Sequence, residues 1–544
     1  MSDYGDDGGY GGGSGGGGGG VSKWTASTPQ NKEETQSLDF LLPESVKDFV
    51  FDLHDAMRRA KRVDEVETLY NTTFKAVTDA YFKGTTWPEA HVIANQCSND
   101  ELFLCFYREL RNRHMFANTN VQLPDYLLSW ENYCRLFDAL LDCRDTNFVI
   151  TEEWAFDLVH EFVYQFQSFC QMRGQRRQDT EEPEDAWAVQ NVIGYLHGLI
   201  KVSNIMPILE AKKTPAANVA VPAAPSQLHQ MAGYFAIVGM SRLQCLLGDY
   251  YECIKVLEAI DITDKNELFA GNMLAFVTVH HHAGLAFLML RRYKDAARIL
   301  NEALVHVGRA NRSGQLQRSG YQDEVPKTAD KMMALMAIAT SLAPGAKVDE
   351  QMQSKMQDTH RDKMSKMAKG DDQAFRDLFS WASPKFVCSV GSREFYDLQA
   401  RQPAAHATTR KNGSDFDLNP PTQLFMEEVK QQILFPQIRS YLKLYTTIGL
   451  EKIARFNNLD EEQFSAQLVS MKHKLTQVDW GMSGETSLLE GKPGFAMDFN
   501  FFVEDGTVVI DEADVREQQG FEKYFMSQIA KCENVTSQVA QVAM

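Results

Sequence analysis

Apolar residues in this chain recur mostly at spacings of three and four. Val46, Val50, Leu53 and Met57 share one face of a predicted helix. Two longer runs, ELFLCFYRELRNRHMF at 101–116 and EEWAFDLVHEFVYQFQSFCQMR at 152–173, carry broad aromatic faces. Faces of that kind are core surface, so both runs predict packed helices. The helical pattern holds from about 43 to 210, then resumes after an Ala/Pro linker, AKKTPAANVAVPAAPSQ at 211–227. A charged stretch at 174–186 reads as a surface loop, in which Arg173, Arg176 and Arg177 are neutralised by Asp179, Glu181 and Glu182. A second irregular stretch spans 390–421. The first 35 residues are too rich in glycine to offset their own backbone entropy, and predict a disordered tail.

One short pattern occurs twice. Gly284, Phe287, Tyr293, Ala296, Leu300 and Ala303 match Ser241, Gln244, Tyr250, Cys253, Leu257 and Ile260 at equal offsets, 43 residues apart. Small residues at the first and fourth positions let two antiparallel helices approach closely. The aromatic and aliphatic positions fill the seam between them. The arrangement resembles the tetratricopeptide repeat, whose usual period is about 34 residues. The first copy departs from it at Gln244 and Ile260. Two copies cannot stand alone, so the helices before and after them must cover their outer faces.

Residues 437–511 change style, and the helical part comes first. It reads as helix, short helix, tight turn and longer helix, with Asp460 placed to cap the last and Glu461 and Glu462 in its first turn. MDFNFFVEDGTVVIDEA at 497–513 then gives two β-rich runs around Asp505-Gly506, a strong hairpin signal. Helix–turn–helix followed by hairpin predicts a winged helix. Charge argues against a DNA-binding wing. Residues 485–517 hold nine acids and two bases, and the longer helix offers only Lys472, His473 and Lys474. Beyond the wing, Phe521, Phe525, Gln528, Cys532, Val535, Val539 and Val542 alternate spacings of four and three. That stripe predicts a helix that joins a bundle with other chains.

The whole chain has 544 residues and a net charge of −18, so two to four domains are expected and phosphate is repelled at long range. No run approaches the length of a membrane helix. The nine cysteines include no Cys-x-x-Cys pair, which points to buried thiols in a reducing compartment, cytosolic or nuclear. The expected divisions are a tail (1–35), a helical domain (36–210), the linker (211–227), helical repeats (228–436), a winged helix (437–515) and a C-terminal bundle helix (516–544).

Catalytic, cofactor-binding and metal sites are not expected. His280, His281 and His282 are adjacent on a helix and point in different directions. A metalloprotease pattern would need Ser and Asp where Leu290 and Tyr293 stand.

Helical repeats, a winged helix and a terminal helix resemble the PCI family, shared by subunits of the proteasome lid, the COP9 signalosome and translation initiation factor 3. GTTWPEA (84–90), FVYQFQSF (162–169), GYFAIVGMSRLQCLLGDYYECIKVLE (233–258), SPKF (383–386) and RSYLKLYTTIGLEKIARF (439–456) are similar to the L-subunit family of initiation factor 3. The likeness spans roughly 40–530. It implies a mostly α fold: a right-handed array of tetratricopeptide-like hairpins, a PCI module over roughly 300–515, and a C-terminal helix. It also implies a non-catalytic, cytoplasmic scaffold without cofactors, in a complex that binds the 40S ribosomal subunit and helps recruit mRNA and initiator tRNA. The K subunit and other PCI subunits are the implied neighbours, joined through winged helices and bundled terminal helices. A lid or signalosome scaffold and a winged-helix nucleic-acid regulator are the alternatives, although direct nucleic-acid binding is not expected.

Overall fold

A computed structural model describes residues 42–59, 63–142, 147–175, 185–213, 224–318, 321–387, 420–480, 487–497 and 499–511, with isolated positions 525, 528, 529 and 532. The glycine-rich tail, most of the linker and most of the 390–421 stretch lie outside them. The described residues form two compact units. One holds residues up to His282 with Val307–Thr328 and 385–387; the other holds Ala283–His306, Ala329–Pro384 and those from Pro420 onward.

The first unit is helical. Its longer helices are α1 (Glu44–Arg59), α2 (Phe74–Tyr81), α3 (Glu101–Asn118), α4 (Leu123–Leu141), α5 (Glu152–Gln175), α6 (Val189–Val202), α7 (Ile205–Lys213), α8 (Gln227–Leu247) and α9 (Tyr250–Leu257). α10 (Met273–Met289), α11 (Tyr293–Arg312) and α12 (Glu324–Leu342) contribute residues to both units. α1 buries Val46, Phe49, Val50, Leu53 and Met57. In the GTTWPEA stretch, Trp87 is buried against the rings of Phe49, Phe74 and Phe82. Capping fixes several ends: Asp100 accepts from the Phe103 amide at 3.2 Å, and Ser226 and Asp249 start α8 and α9.

The core of this unit also holds charge. Arg113 grips Glu109 through two 2.7 Å bonds and reaches Asp157 at 3.0 Å. Asp157 also accepts from Tyr70 at 2.5 Å and Tyr321 at 2.7 Å. Nearby, burial pushes Glu161 up to about 7, and Glu324 likewise to about 7. A carboxyl raised on folding stabilises most below its unfolded pKa, and that contribution is lost as pH rises through the folded value. His160 and His282 are held neutral by burial, so their effect falls on the acid side. Between about pH 6.5 and 8 the carboxyls dominate, and each should cost about 1 kcal/mol of stability. Glu161→Gln should therefore raise the melting temperature more at pH 8 than at pH 6.5. Calorimetry across that range checks it; equal gains at both ends would reject the protonated carboxyl.

The second unit continues through α13 (Glu350–Ala368), α14 (Asp372–Ala382), α15 (Pro420–Gln432) and α16 (Phe435–Leu442). It ends in β1 (Thr447–Gly449), α17 (Leu450–Phe456), α18 (Glu461–Leu475), β2 (Thr476–Asp479), β3 (Lys492–Phe495), β4 (Asn500–Glu504) and β5 (Thr507–Asp511). One sheet runs β1-β5-β4 and another pairs β2 with β3, all antiparallel. Asp505 (φ 47°) and Gly506 (φ 70°) turn β4 into β5, both in the left-handed region that a tight hairpin demands. Helix–turn–helix and hairpin together form the winged helix. Asp460 sits at the N-cap of α18, but its side chain makes no cap bond.

Candidate functional site: the joint between repeat and winged helix

The second copy of the repeated pattern lies within the second unit, where α10 meets α11. Phe287, Tyr293, Ala296, Leu300 and Ala303 are all buried. A β-carbon added to Gly284 would lie 2.5 Å from Leu300 Cδ2 and 2.7 Å from its Cγ, so any larger residue must displace the Leu300 side chain. In the first copy, Ser241 lies 3.3 Å from Cys253, and Tyr250, Leu257 and Ile260 are buried while Gln244 is half-buried.

The turn between α10 and α11 also holds the winged helix. Asp295, fully buried, accepts from Arg292 at 2.7 and 2.9 Å and from Arg298 at 3.3 Å. Its remaining partner is the Trp480 amide at 3.3 Å. Arg292 donates onward to the carbonyls of Leu488 (2.7 Å) and Leu489 (3.1 Å), and lies over the Phe287 ring at 4.8 Å. Arg298 stacks on Trp480 at 4.1 Å. Tyr293 donates its amide to Gln477 at 3.1 Å, and its hydroxyl accepts from Gln432 at 3.1 Å. Burial lifts the Asp295 carboxyl above its ordinary range, against the pull of Arg292 and Arg298. A buried carboxylate is held here by two guanidiniums and a backbone N–H.

Sequence reasoning passed over Arg292, Asp295 and Arg298. The signal was a difference between the copies. Glu252 and Lys255 stand where Asp295 and Arg298 stand, at the same spacing, and form a largely exposed 2.8 Å pair. The position of Arg292 is Asp249 in the first copy, where it caps α9 instead.

The wing faces outward. β4 lies at an edge of its sheet, with Phe502 and Val503 about half exposed. The cations of α18 are engaged within the unit. Lys472 donates to the Phe501 carbonyl at 2.7 Å and lies over the rings of Phe495 and Phe501. Lys474 pairs with Glu428 at 2.7 Å. Only His473 of that trio is exposed. Phe525 and Cys532 are helical and exposed, whereas Phe521, Val535 and Val539 lie outside the described residues.

His280, His281 and His282 are buried. His280 donates from Nδ1 to Phe276 O at 2.8 Å and His282 to Thr278 O at 2.7 Å, since a carbonyl can only accept. Among the described residues no cluster of His, Cys, Asp or Glu could hold a metal ion. A cleft of about 360 Å³ beneath α13 is lined by Met356, Met367, Phe375, Met471 and Met497, with Arg439 its one charged lining residue. Among the described residues no single helix is long and apolar enough to cross a membrane, although the bent pair α6–α7 passes by length and composition.

Helical hairpins locked to a winged helix define a scaffold protein of the helical-repeat class. The family model for RNA polymerase I-associated factor PAF67 matches residues 125–532. The chain is 34% identical over 501 residues to eukaryotic translation initiation factor 3 subunit L of Nematostella vectensis, covering 90% of this chain and 91% of that protein. Identity is 35% over 482 residues to the Homo sapiens protein of that name (86% and 82% covered) and 32% over 538 to the Danio rerio one (93% and 90%). The chain belongs to the family of eukaryotic translation initiation factor 3 subunit L.

Proposed function

We propose that this chain is a non-catalytic assembly subunit of initiation factor 3, acting in the cytoplasm. It joins neighbouring subunits through its winged helix and C-terminal helix. The K subunit is its closest neighbour. Through the assembly it supports 40S binding and the recruitment of mRNA and initiator tRNA. The observation that carries this reading is the joint at Asp295. It fixes the winged helix on the second repeat and leaves the β4 edge, with Phe502 and Val503, exposed. An exposed edge strand with apolar side chains suits strand addition by a partner. A nucleic-acid regulator is disfavoured because Lys472 and Lys474 are engaged inside the unit.

The test is affinity capture followed by sucrose-gradient sedimentation. The wild-type chain should travel with other initiation factor 3 subunits and with 40S particles. Co-purification with the proteasome core or with cullins would favour the lid or signalosome instead. Phe502→Asp combined with Val503→Asp should release the chain from its fellow subunits. Both side chains are exposed, so its stability should change by only about 0.5 kcal/mol. Full retention of that variant would remove the wing edge from the interface.

A further inference from the structure

α13 is polar over most of its surface and meets the rest of the second unit along one narrow stripe. Met356 and Met367 are its buried residues, Met352, His360, Lys363 and Met364 are half-buried, and the remainder are exposed. Helical geometry lapses midway, at His360 (φ −120°, ψ 17°), which leaves two short helical halves. Helices that short are marginal without tertiary contacts. Met356 supplies one, its Sδ 4.0 Å from Thr340 Oγ1 on α12.

The cleft of about 360 Å³ beneath α13 sets these methionines apart. Met364 joins Met356, Met367, Met471 and Met497 in its lining, so five thioether side chains border one space. Gln353 and Gln357, both exposed, belong to the same lining, and the cleft opens to solvent there. A space of this size admits molecules as small as water. Met240 and Met332 are buried as deeply as Met356 and Met367, yet they lie outside the lining. Most polar groups around the cleft are already committed. The hydroxyls of Thr340 and Ser341 donate to carbonyls of α12, and Gln432 donates to Tyr293 and Glu428. Arg439 is engaged as well.

We propose that α13 carries an oxidation site, at which a hydroperoxide entering the cleft converts Met356, Met364 and Met367 to sulfoxides and so releases the helix. A thioether lone pair attacks one peroxide oxygen. The S–O bond forms as the O–O bond breaks. With hydrogen peroxide, the proton on the transferred oxygen passes to the leaving one, which departs as water. Sulfur loses two electrons and the peroxide gains them. The sulfoxide is polar where the thioether was apolar, a change that disrupts methionine-rich contacts. A buried sulfoxide oxygen without a donor costs more than a solvated one, so the stripe leaves the cleft. Sulfoxide reduction returns the thioether, which makes the release reversible. The proposal stands on the second unit alone and does not depend on the assembly reading.

Dilute hydrogen peroxide on the full-length chain tests it, with oxidised methionines mapped by mass spectrometry. Met356, Met364 and Met367 should gain oxygen roughly tenfold faster than Met240 and Met332. Amides of 350–368 should then exchange roughly tenfold faster, and a methionine sulfoxide reductase should restore their protection. A triple variant, Met356→Leu, Met364→Leu and Met367→Leu, conserves volume and should keep its protection in peroxide. Oxidation no faster in α13 than at Met240 and Met332 overturns the proposal, and so does exchange that oxidation leaves unchanged. Equal loss of protection in the peroxide-treated triple variant also overturns it, because thiols would then be the oxidised groups that matter. Should the variant fail to fold, the wild-type mapping and exchange decide the matter by themselves.

Discussion

Asp295→Ala should be among the most damaging single substitutions in the second unit, costing about 3–5 kcal/mol. The carboxylate is the shared acceptor of Arg292, Arg298 and the Trp480 amide. Its loss strands the Arg292 guanidinium, whose side chain is 8% exposed, with two carbonyls and no counter-charge. Breaking one half of a buried pair is worse than removing both halves. A double variant, Asp295→Leu with Arg292→Met, should therefore recover part of the loss. Thermal denaturation measures the stability, and hydrogen exchange locates the change. Amides at 476–480 and 492–495 should exchange faster, because β2 and β3 lose their anchor. A loss below about 1 kcal/mol, with exchange unchanged there, would show that the joint does not hold the wing.

Gly284→Leu should cost roughly 1–3 kcal/mol or more by forcing α10 and α11 apart. The β-carbon alone meets Leu300 at 2.5 Å, so even Gly284→Ala must displace that side chain. Leu300→Ala by itself should cost about 2–5 kcal/mol through the cavity it leaves. Combining Gly284→Ala with Leu300→Ala should cost less than the sum of the two, because one change fills space the other vacates. Melting temperatures of the four proteins form the cycle. Strict additivity would mean that the two positions do not meet.

The same pair shows what a reader of the sequence can see. Gly284 and Leu300 stand at fixed offsets in a repeated pattern, and offsets along a helix specify faces. Helical periodicity likewise marks α1, α3 and α5, and Asp505-Gly506 marks the β4–β5 turn, because these are local rules. The joint follows no local rule. Asp295 and Arg298 have the spacing of the exposed Glu252–Lys255 pair, and nothing in either tetrapeptide says which will be buried. Lys472 and Lys474 pose the same problem. They read as free cations on a recognition-like helix, yet Phe501 and Glu428, distant in sequence, engage them.

By itself the sequence determined the helices, the repeated hairpin pattern, the hairpin wing and the family, because these rest on periodicity, turn chemistry and long specific strings. Tertiary structure alone decided which charges are buried and which stay exposed. A side chain's electrostatic fate depends on the dielectric and neighbours that surround it, and residues nearly two hundred positions away supply those neighbours for Arg292.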